Sequence, residues 1–221
     1  MVDIMSERFV RQLEELHVEL ITMGSLCEKA ISLSAKAIQG EGGMTLIGKI
    51  FETEKEIDAQ EREIENLCMK LLLHEHPVAG DLRSISAALK MITDMERIGD
   101  QAEDICEIIP FLKGRSGQAC GDIDKMAAAT IKMVTDSVSA FVRKDTELAE
   151  RVIAYDDVVD DFFEKVKNDL ITMITQNPQD GEYALDLLMI AKYFERIGDH
   201  AVNIAEWVVF AVTGIHKEEE Q

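Results

Sequence analysis

The pentapeptide Glu-Arg-Ile-Gly-Asp occurs twice in this chain of 221 residues, at positions 96–100 and 195–199. The sequences around the two copies have otherwise diverged, so the identity indicates an internal repeat. An offset of about 101 residues, with small insertions and deletions allowed, also places Pro77 on Pro178. A repeat of this length restricts the fold to two similar units in tandem.

Six helical segments are predicted from apolar residues at the helical period and from the glycines and prolines between them. QGEGG (39–43), HPVAGD (76–81) and NPQDG (177–181) separate helices, and Asp81 is expected to cap the third. The segments cover approximately 6–39, 44–74, 81–112, 123–143, 146–176 and 181–214. The predicted fold is therefore all-α, with two tandem three-helix bundles related by a pseudo-twofold repeat. The linker KGRSGQACGD (113–122) divides them into bundles at 1–114 and 115–221.

The charge of the chain restricts its partners. Lys and Arg number 23 and Asp and Glu number 43, which gives a formal net charge of −20. A phosphate backbone or an anionic bilayer surface would repel such a chain, so nucleic-acid binding is not expected. The same acidity suits a cation or a basic protein surface, and it also fits a surface that is acidic only for solubility.

The cysteines and the N-terminus indicate a cytosolic protein. No Cys-x-x-Cys pair and no zinc-type spacing occurs, so reduced, mostly buried thiols are predicted; the cysteines are Cys27, Cys68, Cys106 and Cys120. The first 20 residues lack the apolar core of a signal peptide. No apolar run is long enough to span a bilayer, so membrane association is expected only through partner proteins.

Each copy of the pentapeptide places a Glu and an Asp one helical turn apart, as Glu96 and Asp100 and as Glu195 and Asp199. Apolar residues flank both pairs on the helical wheel, so these acids interrupt apolar stripes. Partly buried carboxylates require a basic group, a proton or a cation. The arginine inside each motif points about 100° away from its Glu and is not expected to neutralise it.

Matching acids lie on the preceding helices, as Glu54 and Asp58 in the first unit and Asp156 and Asp160 in the second. Asp58 precedes Pro77 by 19 residues and Glu96 follows it by 19, so the two pairs are expected at one height on antiparallel helices. Four carboxylates per unit could hold Mg²⁺, Mn²⁺, Ca²⁺ or iron. The predicted metal ligands are Glu54, Asp58, Glu96, Asp100, Asp156, Asp160, Glu195 and Asp199.

Other interpretations of these acids stay open. The acid-x-x-x-Asp pattern arises by chance in acidic helices, and a single copy would be ordinary solvated surface. Further acids could add oxygen ligands but are not well duplicated: Glu61, Glu65, Glu103, Asp104 and Glu206. Asn203, one turn after Asp199, could supply a neutral oxygen or make a local contact. Gly99 and Gly198 would let a neighbouring helix or an ion approach.

Signals for catalysis are weak. A di-iron bundle of the ferritin type needs two Glu-x-x-His motifs, and only Glu14 and His17 provide one. No Ser-His-Asp set, Cys-His set, phosphate-cradling loop or nucleotide fingerprint occurs. A carboxylate-bridged metal enzyme and a metal-free helical scaffold remain as alternatives to a metal-binding regulator.

Three segments together resemble the PhoU family of bacterial phosphate-uptake regulators: PVAGDLR (77–83), ERIGDQAEDI (96–105) and ERIGDHAVNIAE (195–206). The resemblance covers essentially the whole chain, although the DLR element is missing from NPQDGEYA in the second unit. It implies a cytoplasmic, non-enzymatic and dimeric negative regulator that links the phosphate ABC transporter to a sensor histidine kinase. It also implies iron or zinc bound through the same eight acids.

Overall fold

The computed structural model describes residues 7–74, 77–112, 115 and 121–215. Within these residues the chain forms six long helices and no strand. The helices are α1 (Glu7–Ile38), α2 (Gly43–His74), α3 (Ala79–Ile108), α4 (Gly121–Arg143), α5 (Thr146–Gln176) and α6 (Gly181–Thr213). The predicted all-α fold with six helices is confirmed. The first residue of the predicted α1, Cys120, His76 and most of the predicted linker lie outside the described residues.

The helices pack as two similar groups of three. Helices α1, α2 and α3 contact one another, and so do α4, α5 and α6. The two groups meet mainly through α3 against α6 and α1 against α4, which leaves α2 and α5 packed chiefly on their own groups. This arrangement is the one expected for a duplicated three-helix unit. The division of the chain at residues 114 and 115 itself stays a prediction.

Helices α2 and α5 each bury only a narrow seam. The buried residues of α5 are Ala149, Val152, Val159, Val166 and Leu170, which follow one another at intervals of three, seven, seven and four residues, as expected for one face of a helix. Asp156 occupies the position between Val152 and Val159 where a further apolar residue would continue the seam. The carboxylate is therefore built into a helix–helix contact.

Glycines end two helices as predicted. Gly40, Gly42 and Gly43 have positive φ angles of 83°, 65° and 49°, a conformation that favours glycine. Gly40 and Gly42 lie between α1 and α2, and Gly43 is the first residue of α2. Gly214 ends α6 with a φ of 79°.

Two details of α3 differ from the prediction. The helix begins at Ala79, and its N-cap residue, Val78, makes no side-chain capping hydrogen bond. Asp81 was expected to cap the helix but lies within its first turn. The α-helical part ends at Ile108, and residues Ile109–Leu112 form a short 3-10 helix because Pro110 cannot continue the α-helical hydrogen bonding.

The cysteines and the helices agree with the predictions of buried thiols and of no membrane-spanning segment, within the residues that the structure describes. Cys27, Cys68 and Cys106 are free and buried. Burial raises the pKa of the Cys68 and Cys106 thiols to about 12, so they behave as apolar core residues. In the part of the chain that the structure describes, no helix combines the length and apolar character needed to cross a bilayer.

Candidate functional site

The first acidic cluster lies between α2 and α3. Burial raises the pKa of Glu96, and the charges of Asp100 and Asp58 raise it further. Burial also raises the pKa of Glu54, with added repulsion from Glu103, Asp58 and Asp100. The four acids predicted in the first unit therefore lie within electrostatic reach of one another. We call Glu54, Asp58, Glu96 and Asp100 the first cluster.

Exposed arginines partly neutralise the first cluster. Nη1 of Arg97 donates to Oδ2 of Asp100 at 2.8 Å, and its Nε lies 3.5 Å from Oε2 of Glu96. Nη2 of Arg62 donates to Oδ2 of Asp58 at 3.0 Å. Arg97 was not expected to neutralise its neighbour Glu96, but its long side chain contacts both Glu96 and Asp100. Both arginine side chains are more than half exposed, so each ion pair contributes at most about 1 kcal/mol.

The second acidic cluster lies between α5 and α6 and consists of Asp156, Asp160, Glu195 and Asp199. The pKa of Asp156 is raised to about 6, first by burial and then by Asp160, Asp199 and Glu195. Burial and repulsion from Glu195 also raise the pKa of Asp160 and of Asp199. The four acids predicted in the second unit are thus also brought together, and they repel one another.

A single lysine contacts the second cluster in the described part of the chain: Nζ of Lys192 pairs with Oε2 of Glu195. The arginine of the motif, Arg196, is directed elsewhere. Its guanidinium lies 5.8 Å from the centre of the Tyr193 ring, and its positive charge partly offsets the increase in the pKa of Asp104 that burial and Glu107 cause. For Arg196 the expectation that it does not neutralise its neighbouring Glu agrees with the structure.

The motif glycines allow close helix contacts. A Cβ atom on Gly198 would lie 3.1 Å from Oδ1 of Asp156, and one on Gly99 would lie 3.0 Å from Cδ1 of Ile57. Both distances are shorter than ordinary van der Waals contact. Glycine therefore lets α5 approach α6 and α2 approach α3, as the sequence predicted. In the second cluster the atom brought close is a carboxylate oxygen.

Other predicted acids extend the first cluster along its helices. Burial and repulsion from Asp58 raise the pKa of Glu61. Burial followed by repulsion from Glu107 raises the pKa of Glu103 and of Asp104. Glu107 was not singled out in the sequence, although its spacing of four from Glu103 could have indicated it.

Sequence analysis also missed a polar bridge between α3 and α6. Oδ1 of Asp94 lies 2.9 Å from Nδ1 of His200 and accepts a hydrogen bond from Nδ2 of Asn203 at 3.0 Å. Asn203 therefore makes a local contact, which was one of its two predicted roles. The contact between α3 and α6 is a tertiary feature, so nothing in one sequence could have identified Asp94.

The donor set suits a hard cation, because each cluster offers carboxylate oxygens whose mutual repulsion a cation would relieve. The side chains are not arranged as a preformed site. Among the described residues, no group of three or more His, Cys, Asp or Glu side chains has the placement of a metal-binding set. Coordination would thus require these side chains to rotate, and the assignment of the eight acids as ligands stays a prediction.

Comparisons with known proteins cover nearly the whole chain. The family model described as "PhoU domain" matches residues 20–109 and 123–208. The "Phosphate-specific transport system accessory protein PhoU homolog" of Clostridium acetobutylicum is 34% identical over 208 residues, which is 93% of this chain and 94% of that protein. The homologue of the same name from Synechocystis is 35% identical over 209 residues, covering 93% of this chain and 92% of that protein.

Solved structures agree with these matches. The crystal structure of PhoU from Pseudomonas aeruginosa superposes with a TM-score of 0.86 at 32% identity, covering 94% of this chain and all of that one. The regulatory protein PhoU from Streptococcus pneumoniae has the same fold, with a TM-score of 0.85 and 94% of this chain covered. Two domain matches and relatives above 30% identity over nearly the full length lead to one conclusion: this chain belongs to the PhoU family.

Proposed function

We propose that this chain is a non-enzymatic accessory regulator of phosphate transport. The observation that carries the proposal is the match to PhoU homologues over nearly the whole chain. Those relatives are named as accessory proteins of the phosphate-specific transport system. A protein with this role would work at the cytoplasmic face of the membrane, and it would be held there by the transporter.

The regulator would act as an adaptor between two partners, the phosphate ABC transporter and a sensor histidine kinase. It would damp uptake and starvation signalling when phosphate is plentiful, and it would work as a homodimer. The duplicated architecture supports an adaptor, because two similar helical groups give one chain two similar outer helices, α2 and α5. Charge supports protein partners over lipid, since a chain with net charge −20 is repelled by an anionic bilayer.

A deletion strain tests the regulatory part. Loss of this gene should derepress a phosphate-starvation reporter in phosphate-rich medium, and the parent gene supplied in trans should restore repression. Tagged protein should co-purify with the transporter and the kinase from cross-linked cells. Continued repression in the deletion strain at high phosphate would overturn the proposal.

The metal-dependent part of the proposal rests on the two clusters. Glu54, Asp58, Glu96 and Asp100 would hold one cation, and Asp156, Asp160, Glu195 and Asp199 would hold another. A bound cation would supply positive charge that offsets the carboxylate repulsion within each helix pair. The family resemblance favours iron or zinc, whereas oxygen donors also suit Mg²⁺, Mn²⁺ or Ca²⁺.

Elemental analysis of reloaded protein tests the metal. Chelator-treated protein would be loaded with each cation, dialysed and assayed, beside the double variant Asp156→Asn/Asp199→Asn. The matched control is Asp157→Asn/Asp161→Asn, which removes the same number of negative charges from two exposed acids on α5. Loss of about one metal equivalent in the first variant alone is expected. Equal metal content in all three proteins would remove the second cluster from the proposal.

A metal-free scaffold is the second candidate, and the first cluster supplies the observation that favours it. Arg62 and Arg97 already contact three of its acids. Such a cluster could meet a basic patch on a partner without an ion. Under this alternative, chelation would leave partner binding unchanged while added salt weakens it. The remaining alternative, a metal enzyme, is tested by oxygen consumption and phosphatase turnover of the loaded protein.

A further inference from the structure

The ammonium group of Lys192 lies between α5 and α6, against the second cluster. Its Nζ donates to Oε2 of Glu195, which lies one turn further along α6. Its charge also partly offsets the increase in the pKa of Asp160 and of Asp199 that burial and Glu195 cause. A cation that belongs to the chain itself therefore acts on three of the four acids of this cluster.

An aromatic ring on the neighbouring helix also contributes to the surroundings of this ammonium. The ring centre of Phe163 on α5 lies 5.5 Å from Nζ of Lys192, within the range in which the face of a ring attracts a cation. Phe163 is itself half-buried and packs against the core, so its position is held by the fold. The carboxylates and the ring together favour a positive charge at this point between α5 and α6.

The first unit has neither the lysine nor the ring. The alignment of the two pentapeptides places Lys192 on Thr93, which is uncharged. The alignment of α5 with α2 places Phe163 on Glu61, so an acid of the first unit is replaced by an aromatic residue in the second. The lysine and the ring that attracts it therefore occur together in one unit and are both missing from the other.

A divalent cation and the ammonium of Lys192 would compete for the same carboxylates. Two positive charges held at one group of acids repel each other, so the second cluster favours one of them at a time. The side chain of Lys192 is 41% exposed, whereas that of Glu195 is 16% exposed. The lysine can therefore swing into solvent while the carboxylate stays between the helices. Release of Glu195 from Lys192 is also one of the rotations that coordination requires.

We propose that Lys192 is a tethered competitor cation: its ammonium occupies the second cluster while no metal is bound, and a small divalent cation binds there by displacing it. This inference rests on the metal-dependent part of the function proposed above. It adds that the chain itself limits the affinity of the second cluster, because each cation must break the contact between Lys192 and Glu195. Once displaced, the ammonium lies in solvent beside α6.

Binding of Mn²⁺ to full-length, chelator-treated protein tests the competition, with free Mn²⁺ measured by EPR during the titration. All proteins carry Asp58→Asn/Asp100→Asn, which removes two acids of the first cluster. Adding Lys192→Met should tighten binding about three- to tenfold, because an ion pair and a like charge no longer oppose the metal. The control is Lys167→Met, which removes a lysine that pairs with Glu164 at the same spacing outside the cluster. It should leave the affinity for Mn²⁺ unchanged.

Chemical labelling of the parent protein measures the displacement itself. A water-soluble acetylating reagent modifies accessible amines, and mass spectrometry of the peptides gives the rate at each lysine. Saturating Mn²⁺ should raise the rate at Lys192, because the displaced amine is exposed to the reagent, and should leave the rate at Lys167 unchanged.

The outcomes distinguish this inference from the function on which it rests. Equal affinity with and without Lys192→Met would refute the inference, as would an equal gain in Lys167→Met or an unchanged labelling rate at Lys192 in Mn²⁺-saturated protein. Each of these results would leave the cation site itself standing. Absence of Mn²⁺ binding in every protein would instead overturn the metal-dependent part of the proposed function, and this inference with it.

Discussion

Replacing Asp156 by Asn should stabilise the metal-free protein at neutral pH. The carboxylate is only partly buried, it interrupts the apolar seam of α5, and four other acids repel it. Asparagine has nearly the same size and carries no charge, so it should fit beside Gly198 without the repulsion. The expected gain follows from the pKa of Asp156, which is raised from its ordinary value of 3.8 to about 6 in the folded chain.

This increase in the pKa corresponds to at most about 3 kcal/mol of destabilisation by the charged form. Because the side chain is only partly buried, solvent screening reduces this to about 1–1.5 kcal/mol. For a chain of this size, that gain raises the melting temperature by roughly 2–6 °C. The gain refers to chelator-treated protein, since a bound cation would offset the same repulsion.

The stability of the parent protein should depend on pH through the titration of Asp156. The folded-state pKa of Asp156 is raised, so the unfolded chain loses this proton first as pH rises, and stability falls between about pH 4 and pH 6. The variant lacks this loss. Its advantage should therefore be greatest above about pH 7 and should vanish near pH 4.

Urea denaturation of both proteins at pH 4.5, 5.5 and 7 measures the difference in unfolding free energy. Asp157→Asn, which neutralises the adjacent exposed acid, is the control and should change stability by less than about 0.5 kcal/mol. A variant less stable than the parent at pH 7, or a difference that is the same at pH 4.5 and pH 7, would refute the reasoning.

Two further substitutions test the surroundings of the clusters. Gly198→Ala should destabilise the protein by about 1–3 kcal/mol in thermal melts, because its Cβ would lie 3.1 Å from Oδ1 of Asp156. The control is Gly48→Ala on α2, whose Cβ would meet nothing within 4 Å, and it should stabilise the protein by about 0.5–1 kcal/mol. Equal effects of the two alanines would contradict the proposed close contact. Arg97→Gln should raise the pKa of Glu96 further, which an NMR titration of the carboxyl group would measure. The free energy of unfolding should change by less than about 1 kcal/mol. An unchanged pKa of Glu96 would show that the ion pair is absent in solution.

The helices and the repeat were predictable because their signals are local. Apolar spacing, the glycines near residue 40 and the proline at 178 indicated where helices begin and end. The second cluster followed from Asp156 and Asp160 on one helix and from the repeated pentapeptide on the next. Short connections make such helices neighbours, so the sequence could place their acids at one height.

Features that depend on side-chain conformation or on distant packing were not predictable. The position of Arg97 on the helical wheel could not indicate that its side chain contacts Glu96. The Asp94 bridge needs the contact between α3 and α6, which joins residues more than 100 positions apart. A cavity at the N-terminus of α3 is lined by residues from four parts of the chain, and a single sequence does not show that they meet.

The two clusters are similar in design but unequal in charge balance. Two arginines contact three acids of the first, whereas one lysine contacts a single acid of the second. A cation that binds both clusters should therefore occupy the second at a lower concentration than the first. The two clusters of one chain would thus fill at two different cation concentrations. A single protein would therefore respond over a wider range of cation concentration than one with two identical sites.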